Sequence, residues 1–175
     1  TLNASYGSKV YVEKFGFFLN NEMDDFSSKP GTQNMFGLIG GKANSIEPRK
    51  RMLSSMTPTI IEKDGSVYMI LGTPGGSTII TSVFQVILNA YEFGMNIQEA
   101  VNFPRFHHQW IPEKVEFEKE RFENKIIENL QIKGYDIKSD YIREIGRVDA
   151  IMISDEGIIS AGADPRGDDA AAFIY

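Results

Sequence analysis

The sequence predicts an α+β domain in which helices lie against antiparallel β-sheet. Two pairs of strand-like segments are each joined by a short turn that ends in glycine, at Asp64-Gly65 and at Asp155-Glu-Gly157. A long apolar segment with helical spacing, residues 79–93, lies between the two pairs. With 175 residues, 42% of them hydrophobic, the chain is long enough to form a single domain, residues 1–175, with its own core.

The first predicted element is a bent strand or a tight pair of strands at residues 10–19, where β-branched and aromatic residues surround Gly16. The next segment, residues 20–54, is rich in Asp, Ser, Gly and Pro, so we expect a long irregular loop. Loops of that length inside a compact domain are uncommon and often functional. This loop is therefore the first place to look for a site.

The later elements alternate between strands and helices. Strands at residues 59–62 and 67–71 form the first predicted hairpin, and the chain then turns into the helix of residues 79–93, which ends at Gly94. Because this helix is apolar on most faces, we expect it to lie between a sheet and another layer. The remaining elements are a short helix capped by Asn96 and ending before Pro104, a strand at residues 115–118, a helix at residues 123–133, and a hairpin of residues 148–154 and 158–161.

Composition argues against several classes of function. Acidic residues outnumber basic ones, 24 to 18, and the formal net charge of −6 disfavours a phosphate backbone or an anionic membrane as the main partner. The absence of cysteine excludes thiol nucleophiles, disulfides and Cys-ligated zinc. The longest apolar stretch, residues 79–93, is interrupted by polar side chains and is too short to span a bilayer.

A glycine-rich turn, Gly72-Thr-Pro-Gly-Gly-Ser77, connects a predicted strand to the long helix. At a helix N-terminus the backbone N–H groups of Gly75 and Gly76 can converge on negative charge, which suits an anion or an oxyanion. The turn has neither the lysine nor the spacing of a phosphate-binding P-loop. A plain tight turn, in which the glycines only relieve steric strain, is the open alternative.

Two polar groups in or beside the irregular loop are further candidates. Three acids, Glu22, Asp24 and Asp25, suit an ammonium group or a divalent cation, although their spacing does not fit a calcium-binding loop. Ser54 and Ser55 offer two hydroxyls that suit a carboxylate, provided the backbone turns there, because in an extended strand they face opposite sides. A solvated acidic loop and a turn-forming serine pair are the open alternatives.

The histidines and the first residue complete the set. His107 and His108 are the only histidines, and their aromatic neighbours favour packing over catalysis. Thr1 would be a candidate nucleophile if its α-amino group were free, because that amine can accept the hydroxyl proton. If the true protein begins elsewhere, that position has no such meaning.

Five motifs, in this order, closely resemble the small subunit of the gamma-glutamyltranspeptidase family. They are Thr1-Leu-Asn3, Leu19-Asn-Asn-Glu-Met-Asp-Asp-Phe26, Leu53-Ser-Ser-Met-Thr-Pro-Thr59, Gly72-Thr-Pro-Gly-Gly-Ser77 and Pro104-Arg-Phe-His-His-Gln-Trp110. The resemblance continues to Asp164-Pro-Arg166. It implies an N-terminal nucleophile hydrolase fold, a four-layer αββα sandwich with two stacked antiparallel sheets, made by autocleavage of a precursor into a large and a small subunit.

The resemblance also implies where the reaction takes place. Thr1 matches a threonine whose hydroxyl supports the nucleophile, and the nucleophile itself lies a short stretch upstream, outside this chain. Asn3 would lie beside the nucleophile and the substrate. The backbone N–H groups of Gly75 and Gly76 would form the oxyanion hole.

The substrate-binding roles follow in the same way. Glu22 and Asp25 would hold the α-ammonium group of a glutamyl moiety, and Ser54 and Ser55 would bind its α-carboxylate. The chain departs from these relatives at two positions. Phe36, in the lid-like stretch of residues 35–41, stands where they often have tyrosine, and Met52, just before the serine turn, stands where they have proline.

The implied activity is that of a gamma-glutamyl acyltransferase and hydrolase, which cleaves glutathione and related compounds through a threonine acyl-enzyme. The implied partners are the large subunit and an acceptor amino acid, peptide or water, with no cofactor. The implied location is periplasmic or secreted, and this chain alone is expected to be inactive. The alternatives are a cephalosporin-type amide acylase of the same fold and a non-catalytic binding fragment.

Overall fold

The computed structural model describes residues 2–118, 121–138 and 144–174. The chain divides into two compact units, Thr1–Met56 and Thr57–Tyr175. The single-domain organisation expected from the length stays a prediction.

The first unit consists mainly of irregular chain. Strands β1 (Tyr11–Val12) and β2 (Phe17–Phe18) pair antiparallel, and Gly16 has a φ of 72° in the turn between them, which confirms the tight pair of strands. Two short 3-10 turns follow, Glu22–Asp25 and Lys42–Asn44. The predicted long irregular loop is confirmed, apart from these two turns.

In the second unit, the described residues form the remaining strands and three α-helices. In chain order they are β3 (Thr59–Lys63), β4 (Ser66–Gly72), α1 (Ile79–Tyr91), α2 (Ile97–Asn102), β5 (Phe106–His107), β6 (Val115–Phe117), α3 (Asn124–Ile132), β7 (Ile137–Lys138), β8 (Asp149–Ile153) and β9 (Ile159–Gly162). Both predicted hairpins, β3–β4 and β8–β9, are present. Asn96 caps α2 through a capping box with Glu99, as predicted.

These strands form two sheets in the second unit. The larger sheet has the order β3-β4-β8-β9 and is antiparallel throughout. The smaller sheet has the order β5-β6-β7, and its β6–β7 pair is parallel, because the chain returns to β7 through α3. The expectation of antiparallel strands therefore holds for the larger sheet but not for every pair.

The core of the second unit lies between the larger sheet and helices α1 and α2. Met69 and Leu71 alternate along β4, and together with Ala150 of β8 they belong to one buried cluster with Val86 of α1 and Val101 of α2. Gly162 allows α2 to approach β9, because a Cβ atom there would lie 2.9 Å from the carbonyl oxygen of Ile97. The core thus joins the strand that precedes the glycine-rich turn to the helix that follows it.

The outer face of α1 is exposed. Ile80, Phe84 and Tyr91 are 67%, 58% and 61% exposed. The expectation that another layer covers this helix is therefore wrong for the described part of the chain, in which one side of the helix packs on the sheet. Nowhere in the described ranges is a helix long and apolar enough to cross a membrane.

A buried group of four charged side chains ties the ends of the second unit together. Arg105, Glu118, Asp164 and Arg166 are each at most 6% exposed. Arg166 donates to both carboxylate oxygens of Glu118, with 2.6 Å from Nη2 to Oε2, and Arg105 Nη1 lies 2.8 Å from Asp164 Oδ2. We call these four residues the buried charge cluster. Two positive and two negative charges balance, which buried ions require.

The cluster also holds the chain just before β8. Glu118 accepts hydrogen bonds from the backbone N–H of Ile145 (3.0 Å), and Asp164 accepts one from Val148 (2.6 Å). Burial alone would raise the pKa of Glu118, yet hydrogen bonds from Arg166 and Ile145 hold that pKa below its usual range. Burial likewise opposes ionisation of Asp164, whose pKa is nevertheless lowered by the backbone N–H of Arg166 and the charge of Arg105.

Candidate active site

The acidic residues of the first unit lie on a single 3-10 turn, Glu22–Asp25. A 3-10 helix has three residues per turn, so side chains at positions i and i+3 lie one above the other. Glu22 and Asp25 therefore share a face, and both are half-buried, whereas Asp24 is exposed. The fold selects two of the three predicted acids and leaves Asp24 in solvent.

The two carboxylates lack donors for part of their oxygen atoms. Asn3 Nδ2 donates to Asp25 Oδ1 at 2.9 Å, and the backbone N–H of Asn3 donates to Asn21 Oδ1 at 2.9 Å. Glu22 Oε1 and Asp25 Oδ2 are buried without a hydrogen-bond partner among the described residues. Buried acceptors of this kind are costly unless a donor satisfies them.

The pKa of Glu22 reflects this crowding. Burial raises it above the ordinary value, and a shared hydrogen bond with Asp25 and repulsion from its charge raise it further. The two carboxyl groups thus lie close together, and when both are ionised their unpartnered oxygens have no cationic donor among the described residues. A cationic donor would satisfy both groups.

The serine pair lies at a bend rather than in a strand, as its predicted role requires. Ser55 Oγ is 3.5 Å from Glu22 Oε2, which is the outer limit of hydrogen bonding. Ser54 Oγ instead contacts its own turn, donating to Met56 O at 3.1 Å and accepting from Met56 N at 3.3 Å. The structure brings Ser55 to the acidic pair, whereas the contacts of Ser54 are those of a turn-forming serine.

The glycine-rich turn belongs to the second unit. Gly75 and Gly76 have φ angles of 149° and 58°, and a 3-10 turn, Gly76–Thr78, leads directly into α1. The carbonyl oxygen of Gly75 accepts hydrogen bonds from Thr78 Oγ1 (2.9 Å) and Thr78 N (3.2 Å). Because the C=O and N–H of a trans peptide point in opposite directions, the N–H of Gly76 is directed away from this contact.

A side chain at Gly75 would be hindered twice. The φ angle lies in a region that L-residues rarely adopt, and a Cβ atom would lie 2.6 Å from Thr78 Oγ1. Among the described residues, the N–H groups of Gly75 and Gly76 donate to no backbone oxygen. Gly75 therefore relieves steric strain, as in a plain tight turn. The turn also has two N–H donors, those of Gly75 and Gly76, at a helix N-terminus.

The turn is attached to the segment that precedes β8. Thr73 Oγ1 accepts a hydrogen bond from the backbone N–H of Arg147 at 2.6 Å. A Cβ atom on Gly146 would lie 3.0 Å from Thr73 Oγ1, so the two segments pack closely. The buried charge cluster bonds to Ile145 and Val148, which lie on either side of Gly146 and Arg147. It therefore helps to hold the segment to which the glycine-rich turn is bonded.

Sequence reasoning missed the buried charge cluster. Two of its members, Asp164 and Arg166, lie in the motif Asp164-Pro-Arg166, and Arg105 lies in Pro104-Arg-Phe-His-His-Gln-Trp110. The one available signal is an arginine between apolar or aromatic neighbours, as in Pro104-Arg105-Phe106. If the segment is buried, such an arginine needs a carboxylate partner, because charged side chains are almost never fully buried without one.

The remaining candidates are placed as follows. His107 is buried, and its ring nitrogens lie 2.8 Å from Thr81 Oγ1 and 2.9 Å from Gln109 Oε1, so the structure supports the packing interpretation. Thr1 lies outside the described residues, and its role stays a prediction. Throughout the part of the chain that the structure describes, no three His, Cys, Asp or Glu residues are arranged to hold a metal ion.

Several known proteins are similar to this chain. The family model for Gamma-glutamyltranspeptidase matches residues 1–174. The glutathione hydrolase proenzyme of Escherichia coli (strain K12) is 44% identical over 170 residues, which cover 97% of this chain and 29% of that protein. The glutathione hydrolase proenzyme of Pseudomonas aeruginosa is 46% identical over 169 residues, which cover 95% of this chain and 30% of that protein.

The fold agrees with this similarity. A crystal structure of a mutant gamma-glutamyltranspeptidase from Helicobacter pylori matches with a TM-score of 0.88 at 48% identity, covering 95% of this chain and 90% of that chain. The N-terminal nucleophile hydrolase fold is thereby confirmed. The chain spans about three tenths of the length of the two curated relatives. On the match of the family model and the identity to these relatives, the chain belongs to the gamma-glutamyltranspeptidase family.

Proposed function

We propose that the protein containing this chain is a gamma-glutamyl acyltransferase and hydrolase that cleaves glutathione and related compounds. The observation that carries the proposal is the pair Glu22 and Asp25, whose buried, unpartnered oxygens lie beside the hydroxyl of Ser55. An α-amino acid carries an ammonium and a carboxylate group on the same carbon atom. A site for it needs anionic acceptors next to neutral donors, and the first unit contains both.

The proposed binding mode keeps Glu22 and Asp25 in their observed positions and requires the serine hydroxyls to rotate. The substrate α-ammonium donates to Glu22 and Asp25, which supplies the positive charge that the two carboxylates lack. Ser55 and Ser54 donate to the α-carboxylate, for which Ser54 turns its hydroxyl away from Met56. Asn3, which already contacts Asp25, lies beside the bound glutamyl group.

The proposed reaction is acyl transfer through a threonine that is not part of this chain. Its hydroxyl oxygen attacks the γ-amide carbon, and its proton passes to a base and then to the departing amine. The negative charge that develops on the carbonyl oxygen is stabilised by the N–H groups of Gly75 and Gly76. Water or an acceptor amine then attacks the ester intermediate and releases the threonine hydroxyl. These steps need no cofactor, and the hydroxyl of Thr1 would support the nucleophile.

The proposed assembly includes a large subunit made from the same precursor, which would supply an arginine for the α-carboxylate and the rest of the fold. The length of the curated relatives supports this, since the chain spans only 29% and 30% of them. A cephalosporin-type amide acylase is disfavoured, because a substrate without an α-ammonium group leaves the acidic pair unsatisfied. A periplasmic or secreted location stays a prediction.

A matched pair of substrates tests the proposed function. We expect the complete protein to hydrolyse a γ-glutamyl anilide with a kcat/KM about 100-fold above that for the glutaryl anilide, which lacks only the α-ammonium group. The measurement is release of the aniline at several substrate concentrations. Equal rates, or a preference for the glutaryl compound, would favour the acylase. Release from neither compound would favour a non-catalytic binding protein.

The glycine-rich turn provides an independent prediction. Replacing Gly75 by Ala should lower kcat for the γ-glutamyl anilide by about 100-fold, because a Cβ atom displaces the turn and misdirects the oxyanion donors. The control is Gly94→Ala, which also has a positive φ (67°) but has open space around it, and which should reduce thermal stability without lowering kcat. If a folded Gly75→Ala protein retained the wild-type kcat, these N–H groups would not form the oxyanion hole.

A further inference from the structure

We infer that Asn44 is a positioning residue for the proposed γ-glutamyl site, holding the acidic turn and the serine turn together through its side-chain carboxamide. The inference rests on the proposed function and extends it to a residue in the second 3-10 turn of the first unit, Lys42–Asn44. Asn44 itself does not contact the substrate in this proposal. Its effect is on the distance between the groups that do.

The carboxamide of Asn44 reaches both turns at once. Its Nδ2 donates to the backbone carbonyl oxygen of Asp25 at 2.6 Å. Its Oδ1 accepts from the backbone N–H of Leu53, the residue directly before Ser54, at 2.9 Å. A donor and an acceptor on one planar group are needed for this bridge, and a neutral carboxamide provides both.

The position of Asn44 does not depend on this bridge. Its backbone carbonyl oxygen accepts from Ser27 N at 2.8 Å, and its backbone N–H donates to Gly41 O at 3.1 Å. These bonds hold the Asn44 backbone beside the acidic turn whatever the side chain is. A substitution at Asn44 therefore removes the bridge to Leu53 while leaving the neighbouring backbone bonded.

The direct contact between the two turns is weak. Ser55 Oγ and Glu22 Oε2 are 3.5 Å apart, compared with 2.6 Å for the bond of Asn44 to Asp25 O and 2.9 Å for its bond to Leu53 N. The ammonium and carboxylate groups of an amino acid are held on one carbon, so the acids and hydroxyls that receive them must keep a fixed separation. Asn44 makes the shorter connection, and it therefore determines this separation.

The test is steady-state kinetics of the complete protein with the γ-glutamyl anilide. Asn44→Ala is expected to raise KM by about tenfold, with kcat within about threefold of wild type, because the loss affects glutamyl binding before and during the reaction equally. In Asn44→Ser the hydroxyl is too short to reach both turns, so we expect the same changes in KM and kcat. This variant replaces Asn44→Ala in the test if the alanine variant fails to fold. The amide of Leu53 should also exchange its hydrogen faster in both variants.

Ser45→Ala is the matched control. Ser45 follows Asn44 directly, but the partners of its hydroxyl among the described residues are Lys42 O (2.8 Å) and Glu47 Oε1 (3.1 Å), which belong to neither the acidic turn nor the serine turn. We expect its KM and the exchange of Leu53 to match wild type. A folded Asn44 variant with wild-type KM, or with reduced kcat alone, would overturn the inference. An inactive wild-type protein would refute the proposed function itself, and the inference with it.

Discussion

Replacing Asp25 by Asn is expected to raise KM for γ-glutamyl substrates by about 100-fold without making the protein less stable. The amide keeps the size of the carboxylate and can still accept the hydrogen bond from Asn3 Nδ2. It removes the negative charge that would pair with the α-ammonium group. Losing one partner of a desolvated charge pair costs about 3 kcal/mol of binding free energy, which corresponds to an increase of about 100-fold in KM.

The stability measurement separates binding from folding. Asp25 Oδ2 is buried without a partner in the described structure, and the charge of Asp25 raises the pKa of Glu22. Removing that charge relieves repulsion in the folded protein, so the free energy of unfolding should not fall by more than about 1 kcal/mol. A large loss of stability together with an unchanged KM would show that Asp25 is structural.

Asp24→Asn is the control for net charge. Asp24 lies on the same 3-10 turn but is exposed, so removing its charge should change KM by less than about twofold. If both variants raised KM alike, the effect would come from the acidic surface as a whole. The assignment of Asp25 would then be wrong.

The pH dependence of binding follows from the raised pKa of Glu22. Protonated Glu22 cannot pair with an ammonium group, so kcat/KM should fall as the pH falls through this raised pKa. In Asp25→Asn the repulsion and the shared hydrogen bond are gone, so the decline should occur at lower pH than in wild type.

Local signals predicted much of the fold. Asp64-Gly65 predicted the β3–β4 hairpin because both residues adopt positive φ, 52° and 79°, in the tight turn. Asn96 predicted the start of α2 because its side chain can cap the helix. Turns and helix caps depend on residues that are neighbours in the sequence, so the sequence alone is enough to predict them.

Long-range features were beyond the same reasoning. The parallel pairing of β6 with β7 depends on where α3 returns the chain. The sequence of a two-residue strand such as β7 does not indicate which strand it pairs with. In the site, residue type made Glu22, Asp24 and Asp25 equal candidates. The resemblance to a known family favoured Glu22 and Asp25, and the 3-10 turn supplies the physical reason, because it places these two on one face. Asn44 bonds to Asp25 and Leu53, which are 19 and 9 positions away in the sequence, and no local pattern predicts these bonds.

The buried charge cluster is the clearest such feature, and replacing Glu118 by Gln is expected to lower the free energy of unfolding by about 3 kcal/mol or more. Glutamine has nearly the same size, but it leaves Arg105 and Arg166 with only Asp164 to balance them, and its amide N–H faces the guanidinium of Arg166. Denaturant unfolding of the complete protein measures the loss. Glu116→Gln is the control, because Glu116 pairs with Lys138 at 3.5 Å in a partly exposed position, and loss of this pair should cost less than about 1 kcal/mol.

Acid unfolding provides a second, independent measurement of the same cluster. Glu118 and Asp164 have folded pKa values below their ordinary ones, so at low pH the unfolded chain binds more protons than the folded one. Their stabilisation is complete above the ordinary carboxyl range, near pH 4 to 5, and is lost as the pH falls through the lowered values. Glu118→Gln removes one of the two titrating groups, so its stability should decline less steeply with acid than that of wild type. Parallel acid profiles would mean that Glu118 is not ionised in the folded protein, and the charge balance assigned to the cluster would be incorrect.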